Sequence, residues 1–433
     1  MGERIRGVLT RKPGALELCL VTLLAAAVFF FHLPNILHTP DESDWIATSQ
    51  FYEAFIQGEF PPEAWHAVWG WQETYWTLTQ PPAARYLIAI GRRAGGYAVR
   101  DLNTPWNWAL DVQGNIEAGK MPTPRLLFWS RLPMVLLTAF GVGLLFALAG
   151  ALSGRLGAYA LAGLLLTSTY LRETTLRALG EAPLLFFVLA CAVFTIAGLQ
   201  SWLRAAEAEN APLRHAYLWL ALAGIAAGLA AASKLNGLLA AGGAAAAALW
   251  AALFWRGSIS PARARTFALR VVPLVSLLAM GILIAVYPLL HSDPLTRLGR
   301  MYKFRLQEMQ VQTEGFPQDT LTTPLEQIGA AAVHVFSSDA AFRFPGAVLL
   351  NGALTAVGAA GLLRGLFGRK AGESTAALAV RLGLLGVLGP LVAAACFSPL
   401  NWGRYYLFPV LLGLMCTALG LHRLLEWAAA RVR

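Results

Sequence analysis

Charge is scarce in this sequence: of 433 residues, only 13% are Asp, Glu, Lys or Arg, against 57% that are hydrophobic. With a mean hydropathy of +0.55, that balance excludes a water-soluble enzyme of this length. Cysteine is nearly absent as well. Cys19, Cys191, Cys396 and Cys416 fall within or beside apolar runs without paired spacing, which argues against a zinc site and says nothing of redox compartment. Also missing is the alternation of a barrel strand, so the spans are not those of a β-barrel. No repeat of roughly 20 to 50 residues stands out. No inverted pair of broken helices is visible, which removes the usual architecture of a secondary transporter.

What remains is a series of apolar runs rich in Ala, Leu and Gly. Each approaches the roughly 20 residues that a helix needs to cross a bilayer while satisfying its own backbone. The reading is an all-α polytopic membrane protein with about ten transmembrane helices, near residues 15–36, 126–150, 156–171, 181–200, 217–232, 237–255, 270–290, 346–366, 380–397 and 405–424. The first run is longer than a signal-peptide core and lacks a small-residue cleavage site, so it counts as a span. Two long segments, about 37–125 and 291–345, interrupt the runs; all other breaks are short, and a single integral membrane domain is expected.

The formal charge of +10 is distributed as a topology signal. The short breaks on one side are rich in Arg and Lys and poor in acids, whereas the side holding both long segments is near balance. Basic short loops mark the cytoplasm, so the long segments face outward at a plasma membrane. The spans exclude a water-soluble nucleic-acid binder.

The first long segment opens with His38-Thr39-Pro40-Asp41-Glu42-Ser43-Asp44-Trp45. Three carboxylates within four residues at the mouth of a span are costly unless they meet water, a cation or a substrate. Behind them the segment is crowded with Trp45, Trp65, Trp69, Trp71, Tyr75, Trp76, Trp106 and Trp108, which suggests short helices at the headgroup level. The same outer side gathers Arg172, Arg177, Glu181, Lys234, the run Arg297 to Arg305, and Arg404. Carboxylates at one helix end and isolated cations at others suit a substrate with a phosphate at the headgroup plane and a hydroxyl to be deprotonated. A lipid-linked sugar phosphate meets that description. His38 and His66 share this side, but nothing has metal-motif spacing.

Five features occur together in order: the acidic pair after the first span; Gln80-Pro81-Pro82-Ala83-Ala84-Arg85-Tyr86-Leu87 later in the same segment; Arg177 and Glu181 entering the fourth span; a Gly-rich fifth span ending Ala232-Ser233-Lys234; and Arg404-Tyr405 before Pro409. Together they resemble the GT-C glycosyltransferases of the protein O-mannosyltransferase and lipid A aminoarabinose transferase type, most strongly over about residues 15–255. The resemblance implies an inverting transfer of a hexosyl or pentosyl group from a polyprenyl-phosphate donor to a lipid, glycan or protein acceptor, without a nucleotide. It gives Asp41 the role of general base and Glu42 that of positioning donor or acceptor. Asp44, by its place in the opening of a surface helix, is expected to be structural and not catalytic. Lys234, Arg177 and Arg404, with Arg172 and Arg300 behind them, are the expected phosphate-binding cations; Glu181, Gln80, Arg85 and Tyr405 are expected to bind substrate. Members of this family often carry His or Lys where Gln80 stands. No cofactor is required, although some GT-C relatives use Mg²⁺ or Mn²⁺ through acidic residues, so a divalent cation stays open. The competing class is a transporter or flippase of lipid-linked glycan, which would place charges at mid-membrane depth.

Overall fold

A computed structural model describes residues 11–58, 78–207, 212–254, 259–337, 347–364 and 375–431. Among these no strand occurs, only one isolated antiparallel bridge between Thr320 and Leu400. The helices are α1 Ala15–His32, α2 Pro40–Ala47, α3 Phe51–Gln57, α4 Ala83–Ala94, α5 Val112–Glu117, α6 Pro124–Thr167, α7 Thr169–Thr175, α8 Glu181–Glu207 and α9 Arg214–Ser233. They continue with α10 Leu238–Phe254, α11 Pro261–Val286, α12 Pro294–Gly315, α13 Pro324–Ser337, α14 Ala347–Leu363, α15 Thr375–Cys396 and α16 Leu407–Arg431.

Eight helices of the described residues are long and apolar enough to cross a membrane. The chain is therefore an all-α, multi-pass membrane protein. The difference from the expected ten has two causes. The second and third expected spans are the two limbs of the 44-residue α6, which breaks at Gly154, where φ is +70° and ψ is −166°. That backbone conformation favours glycine, since a Cβ would clash with the following carbonyl. The eighth expected span is α14, whose 17 residues sit at the lower end of what spans a bilayer. The basic run Arg297 to Arg305 lies on α12, the helix expected there.

The first long segment forms a cap over the bundle. Trp45 and Trp106 are buried against protein in it, while Trp108 is exposed. Trp65, His66, Trp69, Trp71, Tyr75 and Trp76 lie outside the described residues. Helix α2 starts where the sequence says it should: Thr39 is extended, Pro40 takes the first helical position, and Glu42 reaches back to the Thr39 N–H at 3.2 Å. Proline has no N–H to leave unpaired there, and the glutamate satisfies one of the helix's open donors.

The same Glu42 carboxylate fastens the cap to the bundle. Arg131 of α6 donates to it from Nε at 2.7 Å and from a terminal nitrogen at 2.6 Å, and also donates to the carbonyls of Ile36 and Leu37. The N–H of Ala178, in the turn before α8, donates to Glu42 at 2.8 Å. Side-chain exposure is 3% for Arg131 and 0% for Glu42, so both charges are sealed from solvent and each is compensated only by the other and by these hydrogen bonds. A second tie holds α4 to the cap: Arg92 donates to Ser49, Glu53 and the Tyr97 carbonyl.

Breaking one partner of a buried pair leaves an uncompensated charge and costs about 3–5 kcal/mol. We therefore expect Arg131→Met to lower the melting temperature of the detergent-solubilised protein sharply, and Arg131→Met with Glu42→Gln to recover part of the loss. Equal melting temperatures for wild type and Arg131→Met would show that the pair does not hold the cap.

Candidate active site

Where the cap meets the ends of α8, α9, α12, α15 and α16, the described residues enclose a cavity of about 1210 Å³. That exceeds the usual range for a small-molecule site. Its polar wall includes Asp41 and Asp44 of α2, Arg177, Glu181, Lys234, Arg305, Arg404 and Tyr405. Its apolar wall is built from Leu184 of α8, Leu391 and Ala395 of α15, and Leu407 and Phe408 of α16.

Local packing brings these groups together. Gly180 stands so close to the end of α9 that a Cβ on it would come within 3.0 Å of the Ser233 carbonyl oxygen and 3.3 Å of the Trp45 ring. This approach lets Glu181, at the first turn of α8, meet Lys234 just past the end of α9, Nζ to Oε1 at 2.8 Å. Arg404 comes from the turn before α16. The backbone there is held by the bridge to Thr320 and by the Asn401 N–H donating to the Asp319 carbonyl at 2.8 Å. Its guanidinium donates to the Asp41 carboxylate and lies over the rings of Trp402 and Tyr405, a contact favourable to a cation. On the other side of Tyr405, Arg305 donates to the phenol oxygen at 3.2 Å and to Glu308 at 2.6 Å. Burial works against the Arg305 charge, but Tyr405 and Glu308 outweigh it and hold the guanidinium above its ordinary value.

Besides the Thr39 hydroxyl and the Gln312 amide oxygen, two ionisable groups on this wall are not matched among the described residues. Arg177 has its Nε buried without a hydrogen-bond partner among the described residues, and so has Asp44 its Oδ2. Burial pushes the Asp44 carboxyl up to about 8, aided by the negative charge of Asp41 and opposed by the Trp106 N–H. The cavity thus presents an ion-paired carboxylate, a neutral carboxylic acid and several cations, side by side.

The residues singled out in the sequence divide accordingly. Asp41, Gln80, Arg177, Glu181, Lys234, Arg404 and Tyr405 line the cavity. Glu42 does not: its carboxylate is wholly engaged by Arg131, Thr39 and Ala178, so whatever it positions it positions through the fold and not by touching substrate. Arg85 is buried behind the wall over the rings of Trp45 and Phe51, donating to the Gln80 carbonyl, and burial pulls it down to about 10. Arg172 turns to the Leu166 carbonyl and the Thr169 hydroxyl. Arg300 is exposed on α12, and the member of that run which lines the cavity is Arg305. His38 meets Ser43 at 3.0 Å, and its burial holds it below the ordinary imidazole value. Among the described residues no group of three or more His, Cys, Asp and Glu side chains is gathered as a metal ligand set. Sequence reasoning missed Arg131, whose signal was an arginine one turn inside an apolar run. It also missed Glu308, which carried none, and it singled out Trp106 only as one of a crowd of aromatics and not as the partner of Asp44.

The Asp44 environment predicts a pH dependence. Unfolded, the carboxyl titrates near 3.8, and folded near 8; between those values the folded chain holds the extra proton. Stability from this group is then fully present below 3.8 and is lost as pH rises through about 8. Asp44→Asn should remove this component, so thermal melts at pH 5 and pH 8 should differ less for the variant than for wild type. An unchanged difference would show that Asp44 titrates normally.

Comparison with known proteins follows the same division of the chain. Residues 70–285 match the family model of the dolichyl-phosphate-mannose-protein mannosyltransferases. No curated protein sequence matches significantly. The oligosaccharyltransferase of Archaeoglobus fulgidus, solved with a tethered acceptor peptide, is similar with a TM-score of 0.50 at 12% identity, over 95% of this chain and 50% of that one. The S. cerevisiae protein O-mannosyltransferase Pmt1-Pmt2 complex, bound to its sugar donor, gives 0.41 at 18% identity over 67% of this chain and 35% of that one. ArnT from Cupriavidus metallidurans, bound to undecaprenyl phosphate, gives 0.36 at 15% identity over 96% and 79%. The chain thus spans about a third of the yeast protein and half of the archaeal one. The matched stretch contains Gln80, Arg177, Glu181 and Lys234 of the cavity wall, and with its helical architecture the chain belongs with the GT-C fold glycosyltransferases, of the protein O-mannosyltransferase type.

Proposed function

We propose that this chain transfers a sugar from a polyprenyl-phosphate donor to an acceptor hydroxyl at the outer face of the membrane, with inversion and with Asp41 as general base. The observation that carries the reading is the pairing of Asp41 with Arg404 inside a cavity that also holds Lys234 and Arg177. A carboxylate held by a guanidinium is fixed in orientation, as a base must be. The apolar wall on α8, α15 and α16 suits the first units of a lipid tail. The matching family of dolichyl-phosphate-mannose-protein mannosyltransferases supports a donor in which a single sugar is carried on a lipid phosphate.

In the step itself, the acceptor oxygen attacks the anomeric carbon from the face opposite the lipid phosphate. The new carbon–oxygen bond forms as the bond to the phosphate oxygen breaks, through an oxocarbenium-like state. The acceptor proton passes to the Asp41 carboxylate. The electron pair of the broken bond stays with the phosphate, whose growing negative charge falls to Arg177 and Lys234. Arg177 is the better placed to respond, since no carboxylate engages it among the described residues; Lys234 is shared with Glu181. Basic short loops on the opposite side of the bundle support the outward assignment of the cavity.

The test is transfer of radiolabelled sugar from a panel of undecaprenyl-phosphate sugars into membrane extract. Asp41→Asn should lower the rate about 100-fold or more, with donor binding retained. Equal transfer by both proteins would sink the assignment of Asp41. No transfer by wild type from any donor, together with movement of lipid-linked glycan across vesicles, would favour a flippase.

A further inference from the structure

Asp44 lies one helical turn beyond Asp41, on the same face of α2, and lines the same cavity. One of its carboxyl oxygens has a fixed use: Oδ1 accepts from the Trp106 N–H at 2.8 Å. The other, Oδ2, is buried without a partner among the described residues, in a residue only 1% exposed. The charged groups that act on it, Asp41, Arg85 and Lys120, are engaged elsewhere: Asp41 by Arg404, Arg85 by Gln80 and the rings of Trp45 and Phe51, and Lys120 by the Pro105 carbonyl. A buried polar atom left unpaired is destabilising, so folded chains seldom keep one that nothing completes.

Resting on the glycosyltransferase reading, we propose that Asp44 reads the sugar: its Oδ2 hydrogen-bonds a hydroxyl oxygen of the hexose or pentose carried by the donor. The chemistry of the side chain selects that partner. Burial keeps the carboxyl protonated at neutral pH, so Oδ2 offers an O–H and requires an acceptor. A sugar hydroxyl supplies one without bringing a charge into the site. The lipid phosphate, by contrast, has Arg177 and Lys234 to meet it. Asp44 then does a different job from Asp41 although both are aspartates on one helix: Asp41, ion-paired, takes a proton, and Asp44, neutral, holds the ring that is attacked. It is a specificity residue and not a second base.

The experiment measures binding of undecaprenyl-phosphate mannose, glucose and arabinose, and of bare undecaprenyl phosphate, to the full chain in nanodiscs. The proteins are wild type, Asp44→Asn and Asp44→Ala. Asn keeps an oxygen for the Trp106 N–H and places an N–H donor where Oδ2 stands. It should bind every ligand within about threefold of wild type. Ala should weaken the preferred glycosyl lipid about tenfold, the usual size of a lost hydrogen bond in a buried site, and leave the bare lipid within about threefold. Equal weakening of both lipids by Ala would assign Asp44 to packing, and no weakening would show that Oδ2 makes no contact; either overturns the proposal. An infrared measurement needs no Ala variant: the protonated-carboxyl band present in wild type and absent in Asp44→Asn should shift when the glycosyl lipid binds and stay when the bare lipid binds. An unmoved band also overturns it. Failure of wild type to bind any glycosyl lipid would instead overturn the transferase reading, and this proposal with it.

Discussion

Everything at the cavity hangs on one buried ion pair that does not face the cavity. Glu42 binds Arg131 of α6 through both carboxyl oxygens and also takes the N–H of Ala178. The residue before Glu42 is Asp41, and the residue before Ala178 is Arg177. A single carboxylate therefore fixes the backbone on which the proposed base stands and the backbone on which the least-engaged cation stands. Its burial makes the constraint stiff: both charges are desolvated, so any movement of α2 away from α6 exposes a charge to an apolar surround. The bundle and its cap are in this way locked in one register.

The cavity's charges follow a rule of near-complete pairing. Asp41 has Arg404, Glu181 has Lys234, and Glu308 has Arg305. Such pairs add little net stability, since desolvation consumes most of the attraction, but they hold side chains in place before substrate arrives. Against that background the two ionisable groups left incomplete among the described residues, Arg177 and the Oδ2 of Asp44, stand out as places where a ligand would finish the hydrogen bonding. One is a cation and the other a neutral acid. A ligand with a phosphate at one end and a polyol at the other offers an acceptor to each without placing a negative charge beside the buried acid.

The sequence made the fold class legible because composition and run length answer directly to the bilayer. It made the count of spans less so. The break itself was visible, because Arg155 follows Gly154 in the middle of the apolar stretch, but hydropathy does not tell a kink within one long helix from a loop between two. At the site, residues at the ends of spans were legible: Asp41, Arg177, Glu181, Lys234 and Arg404 are isolated charges beside apolar runs, and the topology can only put them in one layer. What the pattern could not give was direction. Asp41 and Glu42 are neighbours of the same chemistry, yet helical geometry turns them about 100° apart, one into the cavity and one toward Arg131. The run Arg297 to Arg305 had the same ambiguity, since only the contact between Arg305 and Tyr405 chooses which member of α12 faces inward.

The proposed base and its counter-ion lie 363 residues apart in sequence, and that separation says when the site can exist. The matched family stretch ends at residue 285, so it contains neither Asp41 nor Arg404; it supplies the middle of the wall and the two flanks come from outside it. Arg404 is placed by a turn that is itself held by the segment between α12 and α13, through Thr320 and Asp319. Assembly of the cavity thus needs the first helix pair, the central helices, the α12–α13 segment and the last span together. A half-formed bundle would present the acids of α2 without the cation that orients Asp41. In a membrane full of lipid phosphates, a site that acquires its geometry only when the last helix docks is also a site that stays silent until then.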